Sequence, residues 1–176
     1  MDAEMRGFTL VELMLTVSLL AIGLTVAAPS FEAIINRNQL TSASNELLHD
    51  LLLTRSEALK RETRVTVCKK NADSTDCTTS GDWAQGRLVF VDDDADARVD
   101  SGERILAVNE GASGNLVIAG DQDVADYISY DSSGRSRLID AGHPQQSGTV
   151  ALSIGGEKRC LVVSSSGRPR INKCPE

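Results

Sequence analysis

From Phe8 to Ala28 the chain is apolar over the length of a long helix, broken by a single charge at Glu12, and a polar stretch, Met1 to Gly7, stands in front of it. At 1.5 Å per residue a helix of this run reaches about 30 Å, the thickness of a bilayer's hydrocarbon core, so the pattern predicts a membrane-spanning segment over 8–28. A secretory signal places its apolar stretch before the cleavage point. Here the small-residue junction, Gly7-Phe8, precedes it, and the apolar segment is expected to survive processing. Beyond Pro29 the pattern stays helical but becomes one-sided. Ala43, Leu47, Leu51 and Ala58 recur at helical steps, Leu40, Leu48, Leu52 and Leu59 broaden the stripe, and Asn36, Arg37, Asn38, Glu46, Asp50 and Arg55 fill the other side. One helix from about Phe8 to Arg61 accounts for both halves, with 29–62 as its amphipathic part.

After Arg61 the period changes to short β-like runs: Arg64 to Cys68, Arg87 to Asp92, Arg104 to Val108, Asn115 to Ala119, Asp126 to Tyr130, Thr149 to Ile154, Arg159 to Ser164 and Arg168 to Asn172. Glycines and polar clusters separate them, as in antiparallel sheets joined by hairpins. The expected fold class is therefore α+β, a long N-terminal helix packed on an antiparallel β domain spanning 63–176.

Glu12 needs a reason. A carboxylate inside a spanning helix costs ~2.5 to 3.5 kcal/mol, so it is expected to have a partner. Cleavage after Gly7 would supply one, since the new ammonium on Phe8 lies one helical turn above Glu12. In an assembly of packed helices the same carboxylate would neutralise the amine of a neighbouring subunit.

These residues, Gly7-Phe8-Thr9-Leu10-Val11-Glu12-Leu13, resemble the signature of the type IV prepilin superfamily. The resemblance implies cleavage after Gly7 and N-methylation of Phe8 by a prepilin peptidase, with 1–7 as the leader and Glu12 guiding assembly with other pilins, major and minor. Pro29 falls at the family's helix-kinking proline. The implied location is the inner membrane, single-pass with a periplasmic head, and then a filament, at its tip. Asp2 and Glu4 outweigh Arg6 in the leader, so orientation rests on the resemblance and not on leader charge. Arg55-Ser56-Glu57-Ala58, Val65-Thr66-Val67-Cys68, Trp83, Gly86, Phe90 and Gly167-Arg168 are similar to the GspH/FimT branch. That branch implies a low-abundance subunit that initiates or caps a filament. The same architecture serves as a minor pseudopilin of type II secretion, which is the alternative.

With 176 residues the chain has room for this helix and one globular domain of about 110 to 120 residues. Its net charge of −7 excludes general coating of nucleic acid, so any such contact must be local. The four cysteines, at 68, 77, 160 and 174, lack metal-site spacing. Of the three possible pairings, the nearest-neighbour one gives Cys68 to Cys77 and Cys160 to Cys174, expected as disulfides in an oxidising compartment.

Two segments are near-copies: Ser132-Ser133-Gly134-Arg135-Ser136-Arg137 and Ser165-Ser166-Gly167-Arg168-Pro169-Arg170. Both read as hairpin tips, with glycine supplying the turn. Alternating arginines on an extended strand would also share one side and clamp adjacent phosphates. The second copy lies in a locally basic tail, with Lys158, Arg159, Arg168, Arg170 and Lys173 against Glu157 and Glu176. The stretch from Gly167 to Arg170 resembles the C-terminal G-R-x-R motif of FimT-type minor pilins that bind DNA in natural transformation. That makes Arg168 and Arg170 candidate ligands for double-stranded DNA, sequence-independent, with Lys173 as a local addition; the other reading is a plain turn with solvated arginines.

Asp92, Asp94, Asp96, Asp100 and Glu103 have the spacing of a calcium-binding loop, although Ala97 stands where that loop needs glycine. Calcium as a cofactor and a solvated acidic hairpin are the two readings. His49 on the helix and His143 in a Gly/Pro-bounded loop have no recognisable nucleophile partner, and there is no G-x-S-x-G elbow, so no enzyme is expected.

Overall fold

A computed structural model describes residues 7–112, 114–139 and 145–174, with the side chains of 24–30 and of Gln122 excepted. The leader residues 1–6, the Pro29 side chain and His143 lie outside the described residues. One helix, α1, runs over Leu10–Arg61, 52 residues. Thr9 starts it: its backbone is extended and its Oγ1 accepts from the Glu12 backbone N–H at 3.3 Å, filling one of the orphan donors of the first turn. Glu62 ends it in the left-handed conformation, with Lys60 and Arg61 in the last turn, where cations favour the helix dipole.

The membrane-spanning reading of 8–28 is corrected here. Among the described residues no helix is long and apolar enough to cross a membrane. The single-pass inner-membrane location falls with that reading.

Among the described residues the β domain has eight strands: β1 (Val65–Lys69), β2 (Arg87–Val91), β3 (Ile105–Asn109), β4 (Val117–Gly120), β5 (Tyr127–Tyr130), β6 (Gly148–Ile154), β7 (Glu157–Val163) and β8 (Pro169–Asn172). They form two four-stranded sheets, β3-β2-β1-β5 and β4-β6-β7-β8, with every paired neighbour antiparallel. The second half of α1 packs across both. Leu40, Ala43, Leu47, Leu51 and Ala58, spaced three, four and seven apart, bury one face of α1 against Val65, Val67, Ile128, Tyr130, Val150, Leu152, Leu161 and Val163. Cys68, Leu88 and Phe90 form a smaller cluster with Val99 and Ile105. Trp83 is fully buried and its Nε1 donates to the Val124 carbonyl at 3.1 Å, so its polar edge is satisfied inside the core.

One buried ion pair fixes α1 to β2. Arg87 Nε donates to Asp50 Oδ2 at 2.6 Å, with the two side chains 2% and 8% exposed.

Candidate functional site

The upper part of α1 is an uncovered apolar rod. Phe8, Leu10, Val11, Leu13, Leu15 and Leu19 are all exposed, and the Glu12 carboxylate has no ion-pair partner among the described residues. Such a rod buries its surface only against something outside this chain.

The two near-copies form the second feature, and they are one turn built twice. In each, five residues open on an acceptor side chain: Asp131-Ser132-Ser133-Gly134-Arg135 and Ser164-Ser165-Ser166-Gly167-Arg168. The glycine N–H donates to the first residue's carbonyl, at 2.8 Å in Gly134 to Asp131 and 2.7 Å in Gly167 to Ser164. The first residue's N–H donates to the arginine carbonyl, at 3.0 and 3.3 Å. The first side chain accepts from the arginine N–H in both, Asp131 Oδ1 at 3.1 Å and Ser164 Oγ at 3.3 Å. Gly134 and Gly167 take φ of 71° and 77°, which only glycine adopts without strain, the geometry of a three-residue hairpin loop with a left-handed third position.

The turns touch. A Cβ on Gly167 would collide with the Gly134 carbonyl oxygen and come within 3.1 Å of the Arg135 Cα, and Ser136 Oγ donates to the Ser164 carbonyl at 2.9 Å. Arg55 of α1 donates through Nε to the Gly134 carbonyl at 2.9 Å, tying the first turn to the helix. Beside it Tyr130 is buried with no hydrogen-bond partner for its hydroxyl among the described residues; burial pushes that phenol up, and the Arg55 charge pulls the other way. Burial also acts to raise Asp131, but hydrogen bonds from the Ser133 hydroxyl, from Arg137 and from two backbone N–H groups outweigh it and hold the carboxyl at about 2.

Exposure alternates through the second copy: Gly167 buried, Arg168 exposed, Pro169 half-buried, Arg170 exposed, Ile171 half-buried. Arg168, just before edge strand β8, and Arg170, on it, therefore share the solvent side. Arg135, Arg168, Arg170 and Lys173 are exposed and engage in no ion pair among the described residues. Disulfides join Cys68 to Cys77 and Cys160 to Cys174, the latter tying β7 to the chain just beyond β8. Next to it an open groove of about 410 Å³ is lined by Arg37, Glu157, Lys158, Arg159 and Lys173, with Arg37 and Glu157 paired at 2.9 Å.

The acidic loop brings together three of the five candidate carboxylates: oxygens of Asp92, Asp94 and Asp96 lie within 4.8 Å of one another. Asp100 and Glu103 stand outside that group. Glu103 accepts the Asp93 and Asp100 N–H groups at 2.8 and 3.0 Å, and Asp96 accepts that of Arg98 at 2.7 Å, so these acids hold loop backbone. Asp92 is buried, accepts from Thr66 Oγ1 at 2.6 Å, and is raised by burial.

Compared with known proteins, residues 4–28 match the prokaryotic N-terminal methylation motif, and residues 43–167 match the family described as type II transport protein GspH. The chain belongs to the GspH family. It is thus a GspH/FimT-like member of the type IV pilin and pseudopilin superfamily, a structural protein and not an enzyme. It is 30% identical over 170 residues to the pilin-like protein PilA1 of Thermus thermophilus, covering 94% of this chain and 97% of that one. Two crystal forms of the type IV minor pilin FimU from Pseudomonas aeruginosa share its fold. Their TM-scores are 0.56 and 0.55 at 22% and 20% identity, covering 79% and 76% of this chain and 90% and 92% of theirs.

Three parts of the site escape the sequence reading: the contact between the two turns, the Arg55 staple and the Asp131 hub. The duplicated Ser-Ser-Gly-Arg is their one visible signal.

Proposed function

We propose that this chain is a minor subunit that starts or caps a filament of pilins, joining it through the first turns of α1. The observation that carries the reading is the uncovered apolar rod on a helix whose other half is locked into the β domain. Rods of neighbouring subunits are its natural cover. In this reading a prepilin peptidase cuts after Gly7 and methylates Phe8, and Glu12 neutralises an N-terminal amine in the assembly; the methylation motif over 4–28 supports it. Mass spectrometry of the mature protein tests the cut, and a different N terminus sinks it. Glu12→Ala tests assembly: normal filament numbers in cells carrying it would remove Glu12 from the mechanism.

A DNA-binding role in natural transformation is supported by the exposed Arg168, Arg170 and Lys173 at the end of the β domain. Without aromatic side chains for stacking, it would be weak, salt-sensitive and sequence-independent. Binding of duplex DNA unchanged in Arg168→Ala plus Arg170→Ala would rule the motif out. The family description, a type II transport protein, supports service in a secretion pseudopilus as the alternative. Deleting the gene and scoring twitching against secretion separates the two.

A further inference from the structure

We infer that the two Ser-Ser-Gly-Arg turns form a single phosphate-binding surface, in which Arg135 of the first turn acts together with Arg168 and Arg170 of the second; this rests on the DNA-binding reading above. Arg135 and Arg168 leave their turns from the same position of the same hydrogen-bonded loop, each with its backbone N–H capped by the side chain four residues earlier. The loops are in direct contact through Gly134 and Gly167, and Ser136 bonds across them. Two equivalent arginines thus leave adjoining loops, both exposed and neither ion-paired among the described residues. Asp131, the nearest acid in sequence, is occupied: Arg137 bonds its Oδ2 at 2.8 Å while Ser133 and the Arg135 backbone N–H bond its Oδ1.

The ligand that fits is a run of phosphates. A single small anion would satisfy one arginine, whereas arginines on two adjoining turns and a third on the adjoining strand match a polyanion with repeated charges. Both glycines are required by their positive φ, and at Gly167 the contact with the other loop adds a second reason, whereas a Cβ on Gly134 would crowd Leu59 and Arg55 of α1. Any side chain at Gly167 would push the loops apart and separate the arginines.

The test is binding of a fluorescent DNA duplex to the full chain in mild detergent, across a salt series, with circular dichroism to check the fold. Arg135→Ala should weaken binding several-fold and lower the slope of log affinity against log salt by about 0.9, the effect of losing one phosphate contact. Arg135→Lys should keep the slope. If Arg135→Ala binds like the parent while Arg168→Ala plus Arg170→Ala loses binding, the joint surface is wrong and the DNA reading survives. If the folded parent binds no duplex at low salt, both are wrong.

Discussion

Arg55, near the C-terminal end of α1, donates through Nε to the carbonyl oxygen of Gly134, 79 residues further along the chain, at 2.9 Å. A helix side chain thereby fixes a surface loop, and through Gly134 it fixes the second loop that rests on it. Arg55→Ala removes a charged donor from a half-buried carbonyl and is expected to cost about 1 to 3 kcal/mol. Thermal unfolding should show a fall of a few degrees. Proteolysis of the native protein should find new cuts between residues 131 and 137; an unchanged melting curve and digest would show that the loop holds itself.

Asp131 makes the loop acid-sensitive. Its carboxyl is held at about 2, below the ordinary 3.8 that it regains on unfolding, so the folded state binds its proton less readily. The stabilisation it provides is complete above pH ~4 and is lost as the pH falls towards about 2. Water screens part of it, leaving about 1 kcal/mol. Asp131→Asn should lower stability at pH 7 by that amount and flatten the loss between pH 4 and 2. Denaturant titrations at pH 7, 4 and 2.5 check this; a mutant whose deficit is the same at all three would contradict it.

How far the sequence shows these features depends on the range of the interaction. Helical spacing is local and places Leu40, Ala43, Leu47, Leu51 and Ala58 on the buried face of α1, but Leu52 and Leu59 remain exposed and Asp50, read as part of the polar side, is buried against Arg87 because its charge is paired there. The strand runs are local too; their ends shift by one or two residues where arginines such as Arg64, Arg104 and Arg168 flank the strands without joining them. The duplicated glycine turns are visible for the same reason, because a left-handed third position demands glycine. Contacts between distant segments leave no such trace: nothing about Arg55 or Ser136 in sequence announces Gly134 or Ser164. The spanning segment is not borne out, because among the described residues no helix is long and apolar enough to cross a membrane. Of the five acids in the calcium spacing, Asp92, Asp94 and Asp96 come together, while Glu103 accepts from the loop's own amides.

The Cys160–Cys174 bridge bears on the candidate DNA surface. It closes a loop of about 15 residues containing β8, and in the chain-entropy account such a closure stabilises by ~3 kcal/mol. Replacing both cysteines by serine should lower stability by up to that amount and release edge strand β8 first, since β8 pairs with β7 alone. Hydrogen exchange should then speed up at Arg170 and Ile171 before β6 is affected. Equal acceleration across β6, β7 and β8 would mean that the bridge supports the whole sheet.

The Asp50–Arg87 pair tests what joins helix to sheet. Arg87 spends Nε on Asp50 and reaches the Trp83 carbonyl at 3.5 Å through Nη1, while its buried Nη2 has no partner among the described residues. Removing the acid strands an uncompensated charge, so Asp50→Ala should cost about 3 to 5 kcal/mol. Replacing both, Asp50→Leu with Arg87→Met, should recover most of that loss, because the pair's own attraction is largely offset by its desolvation and an orphaned donor leaves with it. Chemical denaturation of the two single variants and the double completes the cycle. A double variant as unstable as Asp50→Ala would mean that the ion pair itself, and not the avoidance of a lone buried charge, secures α1 to β2.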